Sequence, residues 1–261
     1  MKVPCFYSVL STQYSALETI LRAVFATIPP PPERLLVFAR VPELGRVKTR
    51  LAGSIGDERA LELYQAMIRD TLQSIGRPTA EQEIEVVWAP TPVANGETLR
   101  SAFGDLALAM QTGATLGDRM SMAFSERFFF HRTEKIVAIG VDDPLIPRRL
   151  IDDAFALLES CDWVIGPAAD GGYYLIGCRS GALDVEVFAN MEWGTASVLP
   201  ETIARIRAWK HTLAMLPERS DIDVENDLRG FAARESRGAV ADLLREWRFP
   251  PPDTQEPRPK S

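Results

Sequence analysis

The sequence predicts an α/β protein: a single three-layer domain in which helices cover both faces of a mostly parallel sheet. Short apolar runs of strand length alternate with longer helical patterns along most of the chain. Several of the runs, IVAIGV within 135–141 above all, are apolar throughout instead of alternating with polar residues. Strands buried on both faces read that way, and such burial is typical of parallel β-α-β units. Size agrees, because 261 residues with 46% apolar composition can bury a full core.

Taken in order, LLVFA (35–39) is a buried strand, and 58–74 is a helix with Ala60, Leu61, Leu63, Tyr64, Met67 and Ile68 at helical spacing. IEVVWA (84–89) is a second strand and DLALAMQ (105–111) a shorter third. LGDRMSMAFSERFF (116–129) is helical, KIVAIGV (135–141) is a strand, and LIDDAFALLES (150–160) is a helix. DWVIGPA (162–168) and YYLIG (173–177) are strands on either side of the turn Asp170-Gly171-Gly172. A helix near 195–208, a strand near 211–216 and helices at 223–233 and 237–246 complete the domain, which spans 33–246.

Two segments flank it. In the extension 1–32, Leu17, Ile20, Leu21, Val24 and Phe25 form one stripe of an amphipathic helix, and Pro29 to Pro32 make a rigid spacer. Ser11, Thr12, Gln13 and Glu18 interrupt the apolar region a signal peptide needs. An appended helix or an over-long start fits better, and the stripe suits self-association in a homodimer better than a membrane anchor. Residues 247–261, Pro-rich and polar, read as a disordered tail.

Composition excludes several classes of function. A net charge of −7 and a pI near 5.1 do not suit a nucleic-acid coat, which needs a broad basic field. No stretch has the length of a membrane span. Three cysteines (Cys5, Cys161, Cys178) without C-x-x-C spacing argue against a disulfide framework or zinc ribbon and fit a reducing cytoplasm. With His131 and His211 the only histidines, any metal must sit on carboxylates, which points to a hard cation, Mg²⁺ or Mn²⁺.

In open parallel sheets ligands bind beyond the carboxyl ends of the strands, so the residues that follow each strand carry the information. After the first comes PELGRVKTRL, with Arg46, Lys48 and Arg50 in five residues. It is neither a P-loop nor a Rossmann fingerprint. Together with Thr49, these cations could grip a di- or triphosphate, each contact worth about 4 kcal/mol before desolvation at ~4 Å and an effective dielectric of ~20. The alternative is a solvated loop whose arginines pair with surface acids. Asp142-Asp143-Pro144 ends an apolar strand, where two carboxylates are costly unless a cation or hydrogen bonds compensate. A turn and helix start would explain only one of them. Asp170, Gly171, Gly172 and Tyr173 form either a hairpin turn or a backbone cradle for a sugar or phosphate. Trp193 is a core or pocket residue, and Thr195 a plausible helix cap. Asp223 either caps the next helix or is a second metal ligand facing Asp142.

In this order GRVKTRL, LGDRM, GVDDP, GPAADGGYYLIG, EWGTASVL and DIDVENDL resemble the glycosyltransferase-like family with a GT-A, nucleotide-diphospho-sugar transferase fold. That family is often labelled an uncharacterised domain or an arsenosugar-biosynthesis glycosyltransferase, and it is distantly similar to guanylyltransferases. The likeness covers about 34–230. It implies a metal-dependent transfer of sugar from a nucleotide-diphospho-sugar to a small acceptor, with Arg46, Lys48 and Arg50 on the phosphates. It implies Asp142 as the catalytic metal ligand, Asp223 as the second, and Asp170, Gly171, Gly172 and Tyr173 around the acceptor. Asp118 and Arg119 match the block before the fourth strand. Asp143 replaces the family's usual small residue, Val224-Glu225 its Thr-Pro and Gly194 a Ser-like residue, so which carboxylate binds metal stays open. Two rivals stand beside this reading: a nucleotidyltransferase acting on a nucleoside triphosphate, and a non-catalytic nucleotide-binding or scaffold module.

Overall fold

The computed structural model describes residues 32–249. The amphipathic stripe at 17–25 and the tail from Pro250 lie outside them. Among the described residues seven strands form one sheet: β1 (Glu33–Arg40), β2 (Gln82–Ala89), β3 (Ala107–Met110), β4 (Lys135–Ile139), β5 (Trp163–Pro167), β6 (Tyr173–Arg179) and β7 (Leu213–Met215), in the order β3-β2-β1-β4-β6-β5-β7. All neighbours pair parallel except β6, which runs antiparallel between β4 and β5. The Asp170-Gly171-Gly172 turn explains that exception, because it folds β5 back into a hairpin instead of a crossover.

Alternation along the strands sends side chains into two cores. Leu35, Val37 and Ala39 of β1 and Val137 and Ile139 of β4 face one side, where α2 (Asp57–Ile75), α3 (Gly96–Phe103) and α5 (Arg148–Leu157) cover them with Ile68, Phe103 and Phe155. Leu36, Ile136 and Ala138 face the other, under Phe124 of α4 (Leu116–Phe130) and Ile206 of α6 (Val198–Ala208). Each fully buried Leu or Ile contributes about 1.5–3 kcal/mol over exposure, which is why β1 and β4 are apolar nearly throughout. Outside α2, a third cluster joins Leu63 and Met67 to α1 (Thr49–Ile55), α7 (Glu225–Arg234) and α8 (Ala239–Glu246). Trp247 and Phe249, expected in the tail, pack against this cluster, and the Trp247 indole donates to Glu62 at 3.2 Å.

Two short helices, α1 and α3, escape the periodicity reading because TRLAGSI and GETLRSAF carry only three apolar residues each, too few to set a stripe. One charge in β2 also departs from an apolar strand. Glu85, 7% exposed, accepts from Arg127 at 2.8 and 3.0 Å and from Arg34 at 3.0 Å. Burial alone would raise its pKa, but the two guanidiniums hold it below the usual carboxylate range.

Chain order reverses between β1 and β4, since β2 and β3 build outward from one side of β1 and the remaining strands from the other. A crevice therefore opens above the carboxyl ends of β1 and β4.

Candidate active site

That crevice is a cleft of about 630 Å³ whose walls include the loops after β1, β3, β4, β5 and β7 and the segment between β6 and α6. Its most buried charge comes from the loop after β1. Val47 is 2% exposed and anchors that loop in the core. The next residue, Lys48, turns left-handed at φ 46° before α1 begins. A non-glycine in this region costs on the order of 1–3 kcal/mol and persists only where its surroundings enforce it. The turn swings the lysine into the cleft, where its side chain is 4% exposed. The ammonium lies 2.6 Å from Asp142 Oδ1 and 4.0 Å from Asp223 Oδ1, and it donates to the Ile222 carbonyl.

The two aspartates meet because the loops that carry them are laced together, the Ile222 amide donating to the Asp142 carbonyl at 2.9 Å. Of the two roles open to Asp223, helix cap or metal ligand, the first does not hold. Asp227 caps the helix, accepting from the amides of Asp223 at 3.0 Å and Val224 at 2.9 Å, which leaves the Asp223 carboxylate for Lys48 and for Arg50 NH1 at 2.8 Å. Arg46 and Arg50 are each 68% exposed, and the nearest acid to Arg46 is Glu43 at 3.7 Å. Lys48 and Arg50 of the basic loop thus pair directly with Asp142 and Asp223, while Arg46 does not.

Of the adjacent aspartates, Asp143 turns away. It is 8% exposed and forms a two-point ion pair with Arg219, whose NH2 also reaches the Leu145 carbonyl at 3.3 Å. Asp142 is the one that faces Lys48. Asp170 borders the cleft with Oδ1 accepting from the Gly172 amide at 2.9 Å. Of the two roles open to Gly171, hairpin turn or backbone cradle, its geometry fits the turn. Its φ is +92°, a Cβ would lie 2.6 Å from Ala196 Cα, and its carbonyl accepts from the Leu199 amide at 2.9 Å. It pins the hairpin turn to the start of α6 and to the segment just before it.

That segment carries Trp193, whose ring stands edge-on to Tyr173 at 6.3 Å, both rings bordering the cleft. Burial pushes the Tyr173 phenol well above its usual range. Thr195 is not the helix cap. Its hydroxyl bonds the Glu192 carbonyl and the Ser197 hydroxyl, each at 2.8 Å, and the helix begins at Val198. Thr49 lines the cleft beside Lys48. Asp118 is a capping residue, exchanging hydrogen bonds with Thr115, whose backbone amide is the main cause of its lowered pKa. Its neighbour Arg119 faces the cleft, steadied by the Gly113 carbonyl at 3.2 Å and the Gln111 amide oxygen at 3.4 Å.

Sequence reasoning passed over Arg40, Gln111 and Asp221, all of which line the cleft. Arg40 ends β1 and Gln111 follows β3, so their position at the carboxyl end of a strand was the available signal. Asp221 sits two residues before Asp223 with its carboxyl pushed up to about 6, first by burial, then by the charges of Asp170 and Asp142.

No group of three or more His, Cys, Asp or Glu side chains able to hold a metal occurs among the described residues. Asp142 and Asp223 make a two-carboxylate set. Such a set suits Mg²⁺ or Mn²⁺ when phosphate oxygens complete the coordination sphere, and so fits a metal that arrives with a nucleotide.

A family profile described as "Uncharacterized protein conserved in bacteria (DUF2064)" matches residues 74–195. Among solved structures, a protein from Desulfovibrio desulfuricans G20 provisionally named a nucleotide-diphospho-sugar transferase is 32% identical. The match covers 82% of this chain and 94% of that one, with a TM-score of 0.76. A cytidylyltransferase from Leptospira borgpetersenii serovar Hardjo-bovis is 15% identical over 83% of this chain and 94% of its own, with a TM-score of 0.51. The 4-diphosphocytidyl-2C-methyl-D-erythritol synthase of Anaerococcus prevotii DSM 20548 is 11% identical over 82% of this chain and 97% of its own, TM-score 0.50. At those identities the last two share the fold alone. No curated protein matches the chain significantly. Joined to the crevice at the β1–β4 switch point, the likeness to the Desulfovibrio protein leads to one conclusion: the chain belongs to the bacterial DUF2064 family and has the nucleotide-diphospho-sugar transferase fold.

Proposed function

We propose that this protein is a transferase that moves a sugar from a nucleotide-diphospho-sugar to a hydroxyl of a small acceptor, with Mg²⁺ or Mn²⁺ bound alongside the donor. One observation carries the reading: Lys48 and Arg50 meet Asp142 and Asp223 in the crevice beyond β1 and β4. The name given to the Desulfovibrio relative supports the same class of donor.

In this reading Lys48, Arg46 and Arg50 bind the diphosphate and offset the charge that grows on it as the glycosidic bond breaks, with their dipoles and charges set before reaction. Asp142 and Asp223 would hold the metal, which as a Lewis acid polarises the phosphate oxygens of the leaving group. Thr49 and Arg119 flank the phosphates. Tyr173 and Trp193 offer aromatic faces to the sugar or acceptor. Asp170, one oxygen fixed by the Gly172 amide, orients the acceptor hydroxyl and takes its proton through the other. Asp143 acts one step removed, its ion pair with Arg219 fixing the loop that presents Asp142.

A thermal-shift screen of nucleotides and nucleotide-sugars with Mn²⁺ identifies the donor, because a ligand at 100 times its Kd stabilises by about 2.7 kcal/mol. Radiolabelled nucleotide-sugars and nucleoside triphosphates are then offered side by side. Release of nucleoside diphosphate is the expected result, and Asp142→Asn should lower that turnover about 10²-fold or more. Release of pyrophosphate from a triphosphate would overturn glycosyl transfer in favour of nucleotidyl transfer. The absence of any nucleotide binding would leave a scaffold role.

A further inference from the structure

We propose that Lys48 is a resident counter-ion that keeps divalent metal off the Asp142–Asp223 pair until a diphosphate draws the ammonium away, so that metal and nucleotide enter as one unit. The proposal rests on the reading of the cleft as a diphosphate site and adds an order of events to it.

Three features of Lys48 set it apart from its basic neighbours. Its side chain is 4% exposed where those of Arg46 and Arg50 are 68% exposed, so it is the one desolvated cation of the loop. Its ammonium has three donors: one goes to the Ile222 carbonyl, and Asp142 Oδ1 at 2.6 Å and Asp223 Oδ1 at 4.0 Å lie around the others. Its backbone is left-handed, held between buried Val47 and the first turn of α1, whose Ala52 amide donates to the Lys48 carbonyl at 2.8 Å. The loop therefore delivers the ammonium to this place by construction.

A monocation at this distance from both carboxylates competes with a dication for the same oxygen atoms. Metal ligation by Asp142 would bring two positive centres into contact in a partly desolvated pocket, where charge repulsion is screened far less than in water. Metal alone is thus opposed by Lys48. A diphosphate changes the balance, since it offers the ammonium new anionic acceptors within reach of a flexible four-carbon stem. Rotation of that stem frees both aspartates at the moment when phosphate oxygens become available to complete a metal's coordination.

The test measures Mn²⁺ binding to the full chain through the enhancement of water-proton relaxation, which responds to Mn²⁺ held on the slowly tumbling protein. Inorganic pyrophosphate serves as a base-independent probe. Wild type with Mn²⁺ alone should bind weakly, Lys48→Met about tenfold or more tightly, and the double variant Lys48→Met/Asp142→Asn weakly again. Adding pyrophosphate should tighten Mn²⁺ binding to wild type by a similar factor and change Lys48→Met much less. Wild type that binds Mn²⁺ alone as tightly as folded Lys48→Met would overturn the counter-ion role while leaving the diphosphate reading intact. Failure of pyrophosphate to alter Mn²⁺ binding in wild type, with Lys48→Met tightened as expected, would overturn the diphosphate reading and the exchange with it. Should Lys48→Met fail to fold, Lys48→Gln removes the charge while keeping a polar end and is read against the same outcomes.

Discussion

Asp221 is the residue whose ionisation works against the fold. Its native carboxyl titrates near 6, above the ordinary value of 3.8, because burial and the neighbouring Asp170 and Asp142 disfavour its charge. Below about pH 4 it is protonated in native and unfolded chains alike and contributes nothing. Between about pH 4 and 6 the native chain binds the extra proton, so unfolding becomes easier as pH rises, and above 6 the full cost is present. The shift corresponds to roughly 3 kcal/mol, which partial exposure reduces to about 1 kcal/mol. Asp221→Asn, measured metal-free, is expected to raise the Tm by about 2–4 °C at pH 8 and to leave it unchanged at pH 4. A variant less stable than wild type at pH 8 would refute this balance. The same residue marks how far a sequence can be read at this scale. That Asp142 or Asp143 should meet a cation was legible, because two carboxylates ending an apolar strand need compensation. Which of them pairs with Lys48 was not, since Arg219, the partner of Asp143, lies 76 residues away.

Among the elements, α8 is held by a contact that no local pattern announces. Asp70, 2% exposed on α2, accepts from the amides of Ala239 at 2.6 Å and Val240 at 2.9 Å and so caps a helix 169 residues later in the chain. Gly238 leaves room for it, as a Cβ there would lie 2.7 Å from Asp70 Oδ2, and its φ of +97° suits glycine. Asp70→Ala strands one buried and one part-buried amide and is expected to cost about 2 kcal/mol in urea unfolding with the slope unchanged. A loss under 0.5 kcal/mol would mean that water replaces the carboxylate. Elements with a clear apolar run or stripe were legible, even the short β3, β7 and α8, whereas α1 and α3 were not. Helix α3 does carry a capping box, Asn95 with Thr98, but with Thr in the position where the usual signature has Glu or Gln, so the pattern passes unrecognised. The antiparallel β6 was half visible: Asp-Gly-Gly signalled a hairpin, while the general alternation of strands and helices signalled parallel pairing.

At the scale of the whole molecule, the acidic balance and the basic loop are reconciled by pairing within the cleft, where Lys48 and Arg50 are matched to Asp142 and Asp223. The site was legible as an ordered set of post-strand blocks, and the geometry that joins loops so far apart came only with the sheet order. That order has a further consequence for how the protein is made. β1, the earliest of the described strands, ends in the interior of the sheet, where it pairs with β4 from Glu33 opposite Lys135 onward. At about 5–20 residues per second, β1 waits about 5–20 s with one edge bare before that partner exists. Nascent chains stalled before β4 is exposed should therefore be cut readily by protease, and those released beyond β7 should resist it. Equal resistance at both lengths would show that the amino-terminal strands shelter each other without the centre of the sheet.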